Sequence, residues 1–204
     1  KNRMKQFFSC RLMILVFALA MTSGLSAQKK YSKSFIKKQK EAAAEMVEER
    51  HKMSQVMVDK VFSFAELGFH EVESSKYLTG ILEEAGFEVT RGISGIPTAW
   101  VARWSNGEGP VIALGSDVDD IPKASQYPGV AYHKPIIEGA PGHGEGHNSG
   151  IPLIITAALT VQELMKENDL GGTLMLWPGI AEEQLGSKAW FVRDGLFEGV
   201  DMCI

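Results

Sequence analysis

Two imidazoles and a carboxylate stand within the six residues His143-Gly144-Glu145-Gly146-His147-Asn148, in a segment with no hydrophobic period. Glycines at 142, 144, 146 and 150 let the backbone turn sharply there, so neighbouring side chains can point at one centre. Imidazole and carboxylate donors suit Zn²⁺ or Mn²⁺. In an extended segment Glu145 and His147 share a face, with His143 on the same side. Three ligands from so short a stretch would crowd one ion, so two are expected. His147, followed by Asn148 and an apolar helix, is the firmer choice. Further along, Ala181-Glu182-Glu183 follows the apolar run Leu174-Met175-Leu176-Trp177-Pro178-Gly179-Ile180. Adjacent carboxylates diverge in an extended segment, which suits a division of labour, one on a metal and one on a water. Ligand imidazoles, ligand carboxylates and one further carboxylate are the set that a metal-dependent hydrolase needs. Asp117, Asp119 and Asp120 follow the apolar run Val111-Ile112-Ala113-Leu114. Carboxylates at the carboxyl end of a strand lie where α/β sheets place their sites, and at least one of the three is expected to support the metal.

The elements that must position these groups are legible from periodicity. Residues 32–67 are rich in Lys, Glu, Ala and Met with helical apolar spacing (Ile36, Ala43, Met46, Val47, Met53, Val56, Met57, Val61), and Gly68 is the breaker. A second helix starts near Glu71 and carries Tyr77, Leu78, Ile81 and Leu82 on one face, ending at Gly86. The period then changes. Residues 87–90, 98–104 and 111–114 are expected strands, with Ser105-Asn106-Gly107-Glu108-Gly109 as a hairpin turn between the last two. A Gly/Pro-rich loop runs from Ile121 to Gly150, and loops of that length usually carry function. A mostly apolar helix over 151–166, a buried strand over 172–177 and a helix over 187–196 complete an α/β layered domain.

At the N-terminus, Lys1, Arg3, Lys5 and Arg11 precede the apolar run Leu12–Met21, and small residues end at Leu25-Ser26-Ala27. That pattern predicts a secretory signal peptide over residues 1–27. The apolar run is too short to span a membrane comfortably, and no cysteine marks a lipid anchor at the cleavage point. Cleavage would remove four basic and no acidic residues, leaving 17 basic against 25 acidic and a formal charge of −8. Such a chain does not suit nucleic acid, because phosphate binding wants the opposite sign. Only Cys203 remains after cleavage, which excludes an internal disulfide; export without one fits a bacterial periplasm. No membrane association is expected once the leader is gone.

Several motifs occur together and in order: Phe64-Ala65-Glu66-Leu67-Gly68-Phe69-His70-Glu71, Gly95-Ile96-Pro97-Thr98-Ala99, the acidic turn Asp117–Pro122, Gly142–Asn148 and Ala181-Glu182-Glu183. From roughly residue 45 onward the chain resembles the metal-dependent amidohydrolases of the aminoacylase and auxin-conjugate hydrolase family. The resemblance implies a three-layer α/β, zinc-exopeptidase-like catalytic domain. It also implies two divalent ions, Mn²⁺ or Zn²⁺, and hydrolysis of the amide bond of N-acyl or N-aroyl amino acids such as p-aminobenzoyl-glutamate. A dipeptidase or carboxypeptidase of the same family is the alternative. Carried over, Glu145, His147 and Glu183 are metal ligands, Glu182 is the general base, and Asp117 and His143 support the metal shell from behind. Glu145 departs from the family, which places a bridging cysteine there; a carboxylate is harder and resists oxidation. Val200–Ile204 has the composition of a strand, and the family supplies two further histidines and an inserted dimerisation domain beyond that point. Residues 28–204 are therefore expected to be the N-terminal portion of the catalytic domain, without the dimerisation domain; a homodimer at full length is the family's habit through that absent domain and is not assumed for this chain. As such a portion the chain would bind metal weakly and could be a metal-binding remnant.

Overall fold

The computed structural model describes residues 31–204, so the expected leader over 1–27 lies outside the described residues. The described residues fall into two units, one ending at Lys38 and the other running over Gln39–Ile204. In the first, Tyr31 stacks on Phe35 with ring centroids 4.9 Å apart. There the Ser32 hydroxyl accepts the Phe35 N–H at 3.1 Å, at the start of helix α1 (Lys33–Glu49).

The helical run expected over 32–67 is two helices, because α2 (His51–Phe64) begins after a break at Arg50. The apolar spacing carries across the break without a signal. At Arg50 (φ −87°, ψ 0°) the backbone N–H still reaches the Met46 and Val47 carbonyls at 3.3 and 3.1 Å, and the guanidinium donates to the Met46 carbonyl at 3.0 Å and pairs with Glu163. After α2 come α3 (Val72–Glu84), β1 (Glu88–Arg91), β2 (Trp100–Ser105) and β3 (Val111–Asp117). Then follow α4 (His147–Glu167), β4 (Thr173–Gly179), α5 (Lys188–Arg193) and β5 (Met202–Cys203).

These strands form one mixed sheet in the order β1-β2-β4-β3-β5. β1, β2 and β4 pair antiparallel in turn, while β3 runs parallel to β4 and to β5. The hairpin expected between β2 and β3 does not form, because β4 lies between them. The turn does other work. The Asn106 side chain donates to the Met165 and Leu170 carbonyls at 3.2 and 3.0 Å, closing the C-terminal end of α4, and its backbone N–H donates to Gly172 at 2.9 Å. Parallel β3 and β4 are joined by the long loop and α4, a crossover of the βαβ kind.

Strand alternation sorts the core onto two faces. Ala102, Leu174 and Leu176 meet α2, α3 and α4 through Val61, Leu78, Leu82, Ile151, Ile155 and Ala158, all fully buried or nearly so. Val101, Ala113 and Met175 face the other way, under Ile93, Leu196, Phe197 and Val200. No helix among the described residues is long and apolar enough to cross a membrane.

Candidate metal centre

The carboxyl ends of β3 and β4 lie side by side, with Asp117 opposite Gly179 in the parallel register. Just past the end of β4 the backbone leaves the sheet in a tight excursion. After β4, Ala181 takes a left-handed conformation (φ 52°) and turns the chain into a 3₁₀ turn, Glu182–Gln184, followed by Leu185 (φ 55°) and Ser187 (φ 54°). Nearby Phe69 is left-handed too, at φ 66°. Each such residue costs about 1–3 kcal/mol, and they persist where the surroundings over-determine them. The expected extended segment at Glu182-Glu183 is thus a turn, which still separates the two side chains.

Asp119 does most to hold this turn. It is 1% exposed, and its carboxylate accepts the backbone N–H of Glu182 at 3.0 Å and of Glu183 at 3.1 Å. Its backbone carbonyl accepts the Nδ1–H of His147 at 2.9 Å. A carbonyl can only accept, so in the neutral imidazole Nδ1 carries the proton and the lone pair sits on Nε2, ready for a metal. The sequence singled out Asp117 for the supporting role and gave Asp119 no separate part. The structure places Asp117 against Lys188, whose Nζ is 2.8 and 3.0 Å from its two oxygens. Three closely spaced acidic residues carry no sequence signal for which of them turns inward.

The expected ligands come together. Glu145, His147 and Glu183 each present a donor atom within 4.8 Å of the others. Glu145 Oε2 lies 4.0 Å from His147 Nε2, and Glu183 Oε1 lies 3.9 Å from Nδ1 of that ring. Asp117, His147 and Glu182 form a second such group under the same limit. Gly146, left-handed at φ 80°, makes the corner that sets His147 at the first position of α4; that helix begins at the imidazole itself, earlier than the expected residue 151. His143 does not share the face of Glu145 and His147. The Gly144 N–H bonds the Gly142 carbonyl, and the Gly146 N–H bonds the His143 carbonyl. These bonds curl the segment and send the His143 ring inward. There its Nε2–H donates to the Val61 carbonyl at 3.2 Å, and Nδ1 lies 2.6 Å from Asp120 Oδ1. It backs the loop rather than facing the cluster.

The donor set fits a divalent cation on its own electrostatics. Burial pushes the Glu183 carboxyl above its ordinary range; Glu145, Asp119 and Glu182 add to that, and His147 opposes it. Glu183 Oε1 is buried with no hydrogen-bond partner. Buried anionic oxygens without partners are costly unless they meet a cation, and a divalent ion among Glu145, His147 and Glu183 supplies one.

No family model matches the chain. Individual relatives do. It is 34% identical over 148 residues to one of the subunits of the p-aminobenzoyl-glutamate hydrolase of Escherichia coli, covering 72% of this chain and 31% of that protein. It is 32% identical over 135 residues to an IAA-amino acid hydrolase of Arabidopsis thaliana, covering 66% of this chain and 29% of the relative. Among solved structures, a dinuclear metal-binding peptidase of Bacillus subtilis superposes with a TM-score of 0.63 at 25% identity, over 76% of this chain and 42% of that one. The chain thus spans about a third of the length of the curated relatives it matches. Within that span it shares the α/β exopeptidase-like fold, and the chain belongs to the M20 family of metal-dependent amidohydrolases and peptidases.

Proposed function

We propose that the protein hydrolyses the amide bond of an N-acyl or N-aroyl amino acid, p-aminobenzoyl-glutamate or a close analogue, with divalent metal held partly by Glu145, His147 and Glu183. The observation that carries this reading is the pairing of a three-donor cluster with Glu182, a carboxylate on the same turn as the ligand Glu183. A bound divalent ion lowers the pKa of water and polarises a carbonyl. The residues supply the rest. His147, fixed through Nδ1 by Asp119, offers Nε2, and Glu145 offers a hard oxygen donor that suits Mn²⁺ or Zn²⁺. Glu182 takes a proton from water as the water oxygen bonds to the amide carbon, and returns it to the nitrogen as the C–N bond breaks. Lys188 Nζ, 4.0 Å from Glu182 Oε1, keeps a positive charge beside the base.

The amide-bonded amino-acid substrates named for two relatives support the substrate class. The likeness to a peptidase supports a dipeptidase as the rival. The acidic balance left after leader cleavage supports a small-molecule substrate over nucleic acid, and the leader pattern supports export to a periplasm. The test is Glu182→Gln in the Mn²⁺- or Zn²⁺-loaded protein, assayed on p-aminobenzoyl-glutamate beside a dipeptide panel. Hydrolysis of the first substrate, lost in the variant while metal content stays, is the expected result. Full activity of the variant refutes the role of Glu182, and dipeptide preference refutes the substrate.

A further inference from the structure

Glu71 is a fully buried carboxylate that the proposed chemistry does not use. It stands on the residue before α3, and its two oxygens reach in different directions. Oε1 accepts the backbone N–H of Ala181 at 2.9 Å, and Oε2 accepts the Thr98 hydroxyl at 2.9 Å. Ala181 is the left-handed residue that starts the two-glutamate turn, and it is fully buried. Its N–H is the first of three in succession, and the next two, of Glu182 and Glu183, go to Asp119. The segment carrying Glu71 presses on the same point: a Cβ on Gly68 would lie 2.9 Å from the Ala181 Cα, so the two backbones touch. On the other side, the Ser75 hydroxyl donates to the Thr98 carbonyl at 2.6 Å and fixes Thr98 against α3. Three separate sequence motifs, Phe64–Glu71, Gly95–Ala99 and Ala181–Glu183, therefore meet at one carboxylate.

The geometry points to Glu71 as a positioning residue for Glu182 and Glu183. Together with Asp119 it holds three successive N–H groups of the turn that presents the base and the ligand. The assignment of those two glutamates as base and ligand rests on the proposed function. Burial raises the Glu71 carboxyl while the bonds from Ala181 and Thr98 lower it, so the group is kept at a cost that a purely apolar filler would avoid. Backbone N–H bonds to a carboxylate are among the stronger hydrogen bonds and fix direction as well as distance.

The variants are Glu71→Gln, which keeps the size and an acceptor for Ala181 while the Thr98 hydroxyl rotates to accept, and Glu71→Ala, which removes the hold. Each is loaded with Co²⁺ as the probe, and affinity, visible absorption spectrum and thermal midpoint are measured. Supporting groups behind a ligand typically cost about 10–100-fold in metal affinity when lost. The expected result is a roughly tenfold loss of Co²⁺ affinity and an altered spectrum in Glu71→Gln. Its fold should remain native by circular dichroism. Where Glu71→Ala folds, its loss should be larger. Unchanged Co²⁺ affinity and spectrum in Glu71→Gln, with only the thermal midpoint lowered, overturns the proposal and leaves Glu71 a core group. The readout is independent of turnover, so failure of the hydrolase reading would appear in Glu182→Gln and not here.

Discussion

Asp119→Asn separates the two jobs that one residue performs. The substitution keeps the size of the side chain and the backbone carbonyl that orients His147, but it leaves one acceptor oxygen where there were two. One of the Glu182 and Glu183 N–H groups, now bonded at 3.0 and 3.1 Å, then faces an amide NH₂, donor against donor. A hydrogen bond to a charged acceptor is worth about 1.5–3 kcal/mol, and the surviving bond drops to the neutral value of about 0.5–1.5 kcal/mol. Losing the first and weakening the second destabilises the metal-free protein by about 2–4 kcal/mol. One effect runs the other way, since removing the Asp119 charge relieves Glu183. It stands behind burial and Glu145 among the causes acting on that carboxyl, so it does not reverse the sign. Of a total stability of about 5–15 kcal/mol, the expected loss is a large share. Urea unfolding followed by circular dichroism measures it, and calorimetric titration with Mn²⁺ should show affinity falling about 10–100-fold as the Glu183 turn loosens. A stability change under about 0.5 kcal/mol with unchanged affinity would refute the claim that Asp119 holds the turn.

Three further perturbations bear on the same region. Metal at a hundred times its dissociation constant should stabilise the protein by about 2.7 kcal/mol, or about 5–10 °C in thermal midpoint. Chelator should reverse the shift and Glu183→Gln should shrink it; an equal shift in that variant would remove Glu183 from the ligands. His143→Ala leaves the buried Asp120 carboxylate, 2.6 Å from the imidazole in the native protein, without its partner. Leaving a buried polar group without its partner costs about 1–3 kcal/mol by urea unfolding, and a loss below about 0.5 kcal/mol would mean that this contact does not hold the loop. Glu71 gives a pH signature. Its folded carboxyl titrates above the ordinary value of 4.5, so the folded state binds the proton more tightly than the unfolded state does. Stability should fall as pH rises from about 4.5 through the raised folded value, and Glu71→Gln should flatten that slope. A slope unchanged in the variant assigns it to other groups.

What the sequence could and could not reveal follows from the distances involved. Glu145 and His147 are two residues apart among glycines, and Glu182-Glu183 follow a buried strand, so local composition alone nominated the donors that the fold brings within 4.8 Å. Wherever a partner is remote, the local signal fails. The Ser105–Gly109 turn has hairpin composition, yet Asn106 commits its amide to carbonyls 59 and 64 residues away, and β4 enters between the strands that the turn was expected to join. His143 lies at the right spacing for a shared face, but the curl of the glycine segment delivers it to Val61, 82 residues back. Glu71 belongs to a recognisable motif, though its partners are 27 and 110 residues distant, and periodicity could not tell a buried carboxylate from an ordinary helix-start acid. The donors of this site are thus encoded locally, while the groups that aim them are encoded by topology. That division explains why a candidate metal centre is legible in one dimension and the residues proposed to support it, Asp119 and Glu71, only in three.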